Sequence, residues 1–269
     1  MAAPDPLDEL VSAVAAGTAY QQIDRSLIQS IAKQELKKGR SFKETIRAVR
    51  SRLHQAGGAF QGSGINYQSW KEELSRCSSL VKDPGLRDFC RKMMRCHAST
   101  RERLPDMEEF YRQTLSPVGQ IHSLLDLACG LNPLSMPWLD LAPGAVIYTC
   151  DIYADLAAFL NDFFRHTGLN GRADVCDLTS TQPTQPVQLA LLLKSIPCLE
   201  QLDKNCVPQL LDSVIAEYML VTYPAHSLGG RSKGMPKNYE KHFEELTGGR
   251  NWRIQRFRFP SEIAYLIQK

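Results

Sequence analysis

The spacing of hydrophobic residues changes partway along the chain, and the change divides the sequence into two parts. From Leu7 to about Leu115, apolar residues recur every three or four positions, which is the period of an amphipathic helix. After Ser116, short apolar runs alternate with helical segments, a rhythm typical of a parallel sheet with helices on both faces. The pattern therefore predicts a helical N-terminal subdomain over residues 1–115 and an α/β domain over residues 116–269.

Two consecutive helices are predicted early in the first part. The stretch "IDRSLIQSIAKQELKKG" carries an apolar stripe and ends at Gly39. The next stretch, "SFKETIRAVRSRLHQAGG", begins at Ser41, and Glu44 lies at the position that completes a capping box. We expect the Lys and Arg residues of both helices on the outside. The apolar face of the second helix is predicted to consist of Phe42, Ile46, Val49 and Leu53.

The second part contains four apolar runs that predict parallel strands, and two longer segments between them that predict helices. The strand-like runs are "SLLDLAC", "AVIYTC", "QLALLLK" and "YMLVTYP", and the helical segments are "ADLAAFLNDFFRHTG" and "PQLLDSVIAEY". The chain ends with "WRIQRFRFP" and "EIAYLIQK", two strand-like runs separated by a proline turn. The sheet is therefore expected to finish with an antiparallel hairpin.

Charge is unevenly distributed, although the net charge is only +3. Residues 1–115 hold 19 Lys and Arg against 14 Asp and Glu, and residues 223–269 hold 9 against 4. Residues 116–222 hold only 4 Lys and Arg against 11 Asp and Glu. A solvated helix surface is the ordinary explanation of a basic run, and a nucleic-acid partner is the other.

The sequence also excludes several classes of protein. No apolar run is long enough to span a membrane, and the N-terminal "DPLDEL" lacks the basic start and apolar middle of a signal peptide, so we expect a cytoplasmic protein. The 8 cysteines include no C-x-x-C pair. We therefore expect reduced thiols, with neither a metal site nor a disulfide.

The ends of the predicted strands carry the candidate chemistry. The loop "DLACGLNP" holds a single glycine, Gly130, and so lacks the G-x-G-x-x-G spacing of a dinucleotide site. Asp151 ends the second strand, 25 residues after Asp126, where an acidic side chain reaches a ribose diol. Asp177 follows the next unit, where it can accept a hydrogen bond from an adenine amine. In this order the features predict an S-adenosylmethionine pocket in a class I, Rossmann-like methyltransferase with a seven-stranded, mostly parallel sheet.

Three stretches resemble one specific family. "HASTRERL" from His97, "DLACGLNPL" from Asp126 and "SLGGRSKGM" from Ser227 are similar to the aminoglycoside-resistance 16S rRNA methyltransferases, which modify N7 of a guanine in the ribosomal decoding site. The similarity is close from "RSRLHQAGGAF" onward and weaker before it. The resemblance implies S-adenosylmethionine as cofactor and 16S rRNA within the 30S subunit as substrate.

The resemblance also implies roles for individual residues. Phe60, His97, Ala98, Ser99 and Arg103 correspond to the wall over the methionine end of the cofactor, and the planar fork of Arg103 can pair with the methionine carboxylate. The remaining pocket residues implied by the family are Ala128 and Gly130 in the first loop, Asp151 at the ribose, Asp177 and Leu178 at the adenine, and Leu193, Lys194 and Gln201 at the edge facing the substrate.

The implied substrate matches the chemistry and the charge. N7 of guanine has a free lone pair at neutral pH, so we nominate no general base and expect Lys194 and Arg231 to act by positioning. Because N7 lies in the deep, narrow groove of A-form RNA, the base must be exposed by distortion or flipping, which requires a large basic surface. The phosphate contacts are predicted at Lys33, Lys37, Arg47, Arg50, Arg231, Lys233 and Lys237.

Three other functions remain open. The same fold can methylate N1 of a neighbouring adenine, which requires a base to handle a proton, or it can serve a non-catalytic RNA-binding protein. The series Asp126, Gly130, Asp151 and Asp177 argues against the binding protein, since it keeps cofactor-binding residue types. Methylation of a small molecule leaves both basic flanks unexplained. We expect a monomer, because no long exposed apolar stripe is evident.

Overall fold

The computed structural model describes residues 5–60, 65–226 and 235–269. The first part is helical, as predicted, and a short 3-10 helix at Leu104–Asp106, which contains Pro105, separates its last two α-helices. No described helix has the length and apolar character needed to cross a membrane. The α-helices are α1 (Pro6–Ala15), α2 (Arg25–Leu36), α3 (Phe42–Ala56), α4 (Tyr67–Leu74), α5 (Pro84–Met94), α6 (Ala98–Arg103) and α7 (Met107–Leu115).

The start of α3 confirms the predicted capping box. The Ser41 hydroxyl accepts from the Glu44 backbone N–H at 3.4 Å, and the Glu44 carboxylate accepts from the Ser41 backbone N–H at 3.1 Å. The predicted apolar face is only partly right, because Phe42 at the first position of α3 is 42% exposed. The buried stripe of α3 consists of Thr45, Val49, Leu53 and Ala56.

The second part forms one seven-stranded sheet in the order β3-β2-β1-β4-β5-β7-β6. Neighbouring strands among the first five pair in parallel, and β7 pairs antiparallel with both β5 and β6, which confirms the predicted C-terminal hairpin. The strands are β1 (Ile121–Leu127), β2 (Leu141–Asp151), β3 (Asn170–Val175), β4 (Val187–Leu193), β5 (Ala216–Pro224), β6 (Arg253–Arg258) and β7 (Glu262–Gln268).

Four further helices connect and cover the strands. They are α8 (Ala154–Thr167), α9 (Ile196–Leu202), α10 (Cys206–Ser213) and α11 (Met235–Thr247). The predicted helix "PQLLDSVIAEY" is wrong in its second half, because α10 ends at Ser213 and Ala216 already pairs with Val187 in the sheet. Pairing with the buried strand β4 overrides the local helical pattern there.

The side chains of consecutive residues in the central strands point to opposite faces of the sheet. In β1, Leu124 belongs to the larger apolar cluster, which also contains residues of α1–α5, α7 and α8. Leu125 belongs to the second cluster, with residues of α10 and α11. Because helices cover both faces, the central strands are apolar at nearly every position, which is why their sequences read as continuous hydrophobic runs.

Backbone hydrogen bonds attach the N-terminal helices to the sheet. Asp24 donates from its backbone N–H to the Ile152 carbonyl at 2.8 Å, and Ala154 donates to the Gln22 carbonyl at 2.7 Å. These bonds flank a bridge between Ile23 and the residue before Ala154. The segment before α2 therefore forms a short antiparallel pairing with the loop that follows β2.

A buried carboxylate holds the basic helices together. Glu35 is 1% exposed, and its carboxylate accepts from Lys38 Nζ at 2.6 Å and from Arg52 Nη1 at 3.2 Å, and it also pairs with Arg40. Arg52 donates in addition to the Leu202 carbonyl at the end of α9. Part of the dense positive charge is therefore used inside the protein, between α2, α3 and α9.

The structure corrects the predicted RNA contact at Arg50. This side chain is half-buried, its Nη2 donates to the Ala13 carbonyl at 2.8 Å and the Val14 carbonyl at 3.3 Å, and its guanidinium lies 5.5 Å from the centre of the Tyr20 ring. Arg50 thus satisfies carbonyls at the end of α1. By contrast, Lys33, Lys37, Arg47 and Lys237 are exposed, whereas Arg231 and Lys233 lie outside the described residues.

Replacing Ser41 with alanine should lower the free energy of unfolding by about 1 kcal/mol, because the first turn of α3 loses its cap. Urea denaturation followed by circular dichroism measures the change. Ser51→Ala, an exposed site inside the same helix, is the matched control and should be neutral or slightly stabilising, since alanine favours helix. Equal effects of the two substitutions would mean that the capping box contributes nothing.

Candidate active site

The main cleft lies at the carboxyl ends of β1, β2 and β4. The order of the strands reverses between β1 and β4, since β2 and β3 follow on one side and β5 on the other. Ligands of open α/β sheets bind at such a switch point. The residues lining the cleft come from the strand ends, α3, α4, α6, α8 and α9; they include Phe60, Tyr67, His97, Ser99, Ala128, Gly130, Asn132, Asp151, Tyr153, Leu193, Lys194 and Ser195.

Unusual backbone conformations mark the same place. Among the described residues, Ala128 (φ 50°) and Lys194 (φ 58°) are the only non-glycine residues with positive φ, and both line the cleft. Gly130 has φ 51° in the same loop. Left-handed backbone is costly for residues with a Cβ and persists where the surrounding structure enforces it. The two strand ends that bound the cleft are therefore held in fixed, sharp turns.

Asp151 occupies the end of β2 and fixes the loop after β1. Its Oδ2 accepts from the Gly130 backbone N–H at 2.8 Å, and its Oδ1 accepts from the Ile152 backbone N–H at 2.7 Å. Burial raises the pKa of the Asp151 carboxyl, while these two donors lower it. A carboxylate offers about four lone-pair positions, so both oxygens can still accept from a ligand hydroxyl in the cleft.

His97 closes the cleft above Gly130. A Cβ placed on Gly130 would lie 3.0 Å from His97 Cε1, so a larger residue there would need the imidazole to shift as well as a strained backbone. The ring stacks on Phe60 with centroids 6.1 Å apart. Burial, followed by the charges of Arg101, Arg103 and Lys194, lowers the pKa of His97 to about 4. The imidazole is neutral at pH 7, and its Nδ1 is buried without a hydrogen-bond partner among the described residues.

The structure corrects the role predicted for Arg103. Its guanidinium is 2% exposed and pairs bidentately with Glu262 of β7, Nε to Oε1 at 2.7 Å and Nη2 to Oε2 at 2.8 Å. Nη1 donates to Asn132 Oδ1 at 2.9 Å, and the group lies 4.8 Å from the centre of the Phe110 ring. The fork predicted to meet the methionine carboxylate is thus occupied by Glu262, behind the cleft wall.

Glu262 connects Arg103 to Lys194. The Lys194 ammonium donates to Glu102 Oε2 at 2.8 Å and to the Ser99 carbonyl at 3.4 Å, and it lies 3.9 Å from Glu262 Oε1. Burial alone would raise the pKa of the Glu262 carboxyl, but the charges of Arg103 and Lys194 hold it below its usual value. The Lys194 stem lines the cleft while its charge is neutralised in the wall.

A second buried carboxyl completes this network. Asp126 in β1 is fully buried, and its Oδ2 accepts from Asn132 Nδ2 at 2.8 Å. Tyr111 donates to Asn132 Oδ1 at 2.9 Å. Burial raises the pKa of Asp126 to about 7, against the opposing effects of Asn132 and Arg103. Asp126 therefore supports the loop after β1 from beneath and does not reach the cleft.

The structure separates the predicted cofactor residues into two groups. Phe60, His97, Ser99, Ala128, Gly130, Asp151 and Leu193 line the cleft together, and Ala98 is buried between two of them.

The remaining predicted residues, Asp177, Leu178 and Gln201, lie outside the lining of the cleft. The Asp177 carboxylate accepts from the Thr179 backbone N–H at 2.9 Å and from the Ser180 hydroxyl at 2.9 Å, so it caps its own turn. Leu178 packs in the second apolar cluster. Gln201 points into a neighbouring groove between α2, α3 and α9, where it lies with Lys38 and Arg52. None of these three side chains lines the cleft.

The apolar wall of the cleft was not predicted from the sequence. This wall is formed by Ile152, Tyr153 and Leu156 after β2 and by Cys198, Leu199 and Leu202 of α9. The available signal was position alone, because these residues follow the two strand ends that supply Asp151 and Lys194. Flat apolar surfaces beside a buried carboxylate suit an adenine base attached to a ribose.

Unpaired polar atoms in the cleft indicate whether S-adenosylmethionine fits the site. His97 Nδ1 and Ser195 Oγ are both buried, line the cleft and lack partners among the described residues. Unpaired buried polar atoms are costly, so a cleft that holds two of them is built for a polar ligand. The residues present fit the cofactor: Asp151 for the ribose, the apolar wall for the base and the Gly130 loop for close approach.

The sheet order, the C-terminal hairpin and a cleft bounded by the ends of β1, β2 and β4 together define a class I methyltransferase. The chain belongs to the ribosomal RNA methyltransferase (FmrO) family, whose sequence profile matches residues 16–266. It is therefore an rRNA methyltransferase.

Individual relatives agree with this assignment over the full chain. A 16S rRNA (guanine(1405)-N(7))-methyltransferase of Micromonospora echinospora is 35% identical over 98% of this chain and 97% of its own length. The crystal structure of the 16S rRNA methyltransferase RmtF, in complex with S-adenosyl-L-homocysteine, is 29% identical, covers all of both chains and superposes with a TM-score of 0.85. The 16S rRNA methylase RmtB is 26% identical over 98% of each chain, with a TM-score of 0.81.

Asp126→Asn should change how stability depends on pH. In the folded protein Asp126 stays protonated up to about pH 7, whereas in the unfolded chain it ionises near pH 4, so the folded state binds the extra proton between these values. This group therefore makes the wild type less stable as pH rises from about 4 to 7, by up to roughly 1.4 kcal/mol per pH unit. Urea unfolding at pH 5 and pH 7.5 should show a smaller fall for the variant. An identical fall would mean that Asp126 is already ionised at pH 5.

Proposed function

We propose that this protein transfers the methyl group of S-adenosylmethionine to N7 of guanine 1405 of 16S rRNA in the 30S subunit, and so confers resistance to aminoglycosides that bind the decoding site. The target atom is inferred from the relatives' named activity, and these relatives are up to 35% identical over 98% of the chain. RmtF, solved with S-adenosyl-L-homocysteine, supports the choice of cofactor.

The structure supports this proposal because the described residues of the cleft include no usable general base. His97 has a pKa of about 4 and therefore binds a proton weakly. The Lys194 ammonium is paired with Glu102, and both Asp151 oxygens accept from backbone N–H groups. A nucleophile that must lose a proton fits such a site poorly. Guanine N7 fits it well, because its lone pair attacks without any deprotonation.

The chain's own residues would therefore act by binding and alignment. When bound, the cofactor supplies an electrophilic methyl group on a sulfonium. Asp151 would accept from the ribose hydroxyls, and the apolar residues after β2, Ile152 and Leu156, would hold the base and exclude water. The fixed turns at Ala128 and Lys194 would set the distance between the two halves of the cleft. Alignment of this kind supplies much of the rate in a transfer between two positioned groups.

His97 contributes by remaining neutral. A protonated imidazole beside a sulfonium would repel it, and burial together with Arg101, Arg103 and Lys194 keeps the proton off the ring at physiological pH. The same neutrality favours the methylated product, because N7-methylguanine carries a positive charge. The low pKa of His97 thus suits a site whose methyl donor and methylated product are both cationic.

The surface that meets the rRNA is proposed to include α2 and α3. Lys33, Lys37 and Arg47 are exposed there, and Lys237 is exposed at the start of α11. Phe42, exposed at the tip of α3, lies in sequence between basic residues. Exposed Lys and Arg neutralise phosphates without reading sequence, so this surface supplies affinity and orientation rather than base choice. We also propose that the enzyme acts on the assembled 30S particle. It would do so as a monomer in the cytoplasm, where ribosomes are.

The reaction can be tested with isolated 30S subunits and radiolabelled S-adenosylmethionine, followed by borohydride reduction and aniline cleavage, which cuts RNA at N7-methylguanine. The wild type should transfer label and give one cut at guanine 1405. Asp151→Ala should give neither, because the ribose contact is lost, and circular dichroism would show that the variant is folded.

Two results would contradict the proposal in different ways. Label without a cut would move the methyl group to another atom, with adenine N1 the first candidate. No transfer by a folded wild type, despite binding to the 30S subunit, would favour an RNA-binding protein that does not catalyse.

Reversing charge on the proposed rRNA surface should weaken 30S binding without affecting the cofactor. We expect Lys37→Glu and Arg47→Glu each to lower the affinity roughly three- to tenfold and to reduce the slope of log affinity against log salt by about one. Filter binding at several salt concentrations measures both quantities. Lys82→Glu, an exposed lysine between α4 and α5, serves as the control. Equal losses in all three variants would reflect net charge rather than a defined surface.

A further inference from the structure

The hydroxyl of Ser195 is buried in the cleft and unused by the described part of the protein. Ser195 is 5% exposed, lines the cleft directly after Lys194, and its Oγ has no hydrogen-bond partner among the described residues. Ser195 is the N-cap residue of α9, and a serine at that position commonly accepts from a backbone N–H of the first turn, but the Ser195 side chain makes no such bond. The Ser195 hydroxyl instead remains available to a ligand.

The turn that carries Ser195 is rigid. Lys194 has φ 58°, and its backbone N–H donates to both the carbonyl and the hydroxyl of Thr222 in β5, each at 3.0 Å. Its ammonium is anchored to Glu102 at 2.8 Å. After the turn, the Ser195 carbonyl accepts from the backbone of Leu199 at 3.0 Å as α9 begins. A strained residue fixed at three points presents the following side chain in one orientation, and such strain is typical of functional sites.

The position of Ser195 favours the substrate over the cofactor. Asp151 and Gly130 lie on the β1–β2 side of the switch point, where the ribose and the methionine end are proposed to bind. Ser195 lies on the opposite side, at the end of β4, and α9 leads from it to Leu202. Leu202 lines both the cleft and the open groove beside α2 and α3. The basic helices proposed to meet the rRNA therefore border the α9 side of the cleft, the side on which Ser195 lies.

We propose that the Ser195 hydroxyl donates a hydrogen bond to O6 of the target guanine and thereby directs N7 towards the methyl group. This proposal rests on the function proposed above. Guanine presents N7 and O6 as adjacent acceptors on one edge, so a donor at O6 orients the base while it leaves the N7 lone pair free. In the transfer, N7 forms a bond to the methyl carbon as the carbon–sulfur bond breaks, its electron pair remains on sulfur, and no proton moves.

Two other polar side chains on the cleft wall, those of Lys194 and His97, serve O6 less well. The Lys194 ammonium is paired in the wall, and an additional cation next to the base would oppose the positive charge that develops on the ring. His97 lies over the Gly130 loop, on the cofactor side. A neutral hydroxyl donor on the β4 side avoids both problems.

The test compares Ser195→Ala and Ser195→Thr with the wild type in single-turnover methylation of 30S subunits at saturating S-adenosylmethionine. Calorimetry with S-adenosyl-L-homocysteine on each free enzyme separates cofactor binding from catalysis. We expect Ser195→Ala to slow methylation roughly tenfold, because guanine O6 loses its partner, with unchanged affinity for the cofactor product. Ser195→Thr, which keeps the hydroxyl, should remain within about threefold of the wild type. Ser116→Ala, an exposed serine at the end of α7, should match the wild type in both measurements.

Three results would overturn the proposal. A Ser195→Ala rate equal to that of the wild type would show that the hydroxyl is not used. A tenfold loss of cofactor-product affinity, with a normal rate at saturation, would assign Ser195 to the cofactor. A Ser195→Thr variant as slow as Ser195→Ala would mean that side-chain volume matters rather than the hydroxyl. Failure of the proposed function is distinguishable from all three, because the wild type itself would then give no aniline cut.

Discussion

The ion pair between Arg103 and Glu262 is the interaction on which the rest of the site depends. It joins α6, near the middle of the sequence, to β7 at the C-terminal end of the sheet, and both side chains are almost completely buried. A buried pair of this kind adds little net stability over well-packed apolar residues, but removal of one partner leaves an uncompensated charge. Its value here is geometric, because Asn132, Lys194 and Glu102 all take their positions from the same network.

The network explains how a mostly apolar cleft holds its few polar groups in fixed positions. The Asn132 side-chain oxygen accepts hydrogen bonds from Arg103 and Tyr111, and its Nδ2 donates to Asp126. These bonds fix the loop after β1 from below. Asp151 fixes the same loop from the side through the Gly130 N–H. With its wall groups paired among themselves, the cleft exposes only a few polar atoms, and these are the ones that a ligand must satisfy. Few and well-placed polar groups in an apolar pocket are what specific binding requires.

Sequence reasoning predicted the fold more completely than the site. Apolar runs of β1, β2, β4 and β5 and the C-terminal hairpin were visible because strands buried on both faces are hydrophobic throughout. Position at a strand end correctly predicted Asp151 and Gly130 in the cleft. Asp177 lies outside the cleft lining, where its carboxylate accepts from its own following residues, as an Asp in a turn often does.

Arg103 shows a different limit of sequence reasoning. The motif identifies it as a residue that pairs with a carboxylate, but Glu262 lies 159 positions away and only the folded sheet brings the two together. The predictions of an exposed Arg50 and a buried Phe42 have a related limit. Helical periodicity gives the face of a helix on which a residue lies, but not how far the neighbouring helices extend over that face. Ser195 carries no sequence signal at all, because an unpaired hydroxyl can be recognised only after its surroundings are known.

The short backbone pairing between Gln22–Asp24 and Ile152–Ala154 has a consequence for the architecture as a whole. Ile152 follows Asp151, the proposed ribose ligand, and is held in place by the segment that leads into the basic helix α2. The apolar core continues from the helical part into the sheet. The helical part is therefore not a removable attachment to a self-sufficient catalytic unit. Exchanging it for that of a relative would also exchange one wall of the nucleoside pocket, so the evolution of rRNA recognition in this enzyme is constrained by the shape of its cofactor.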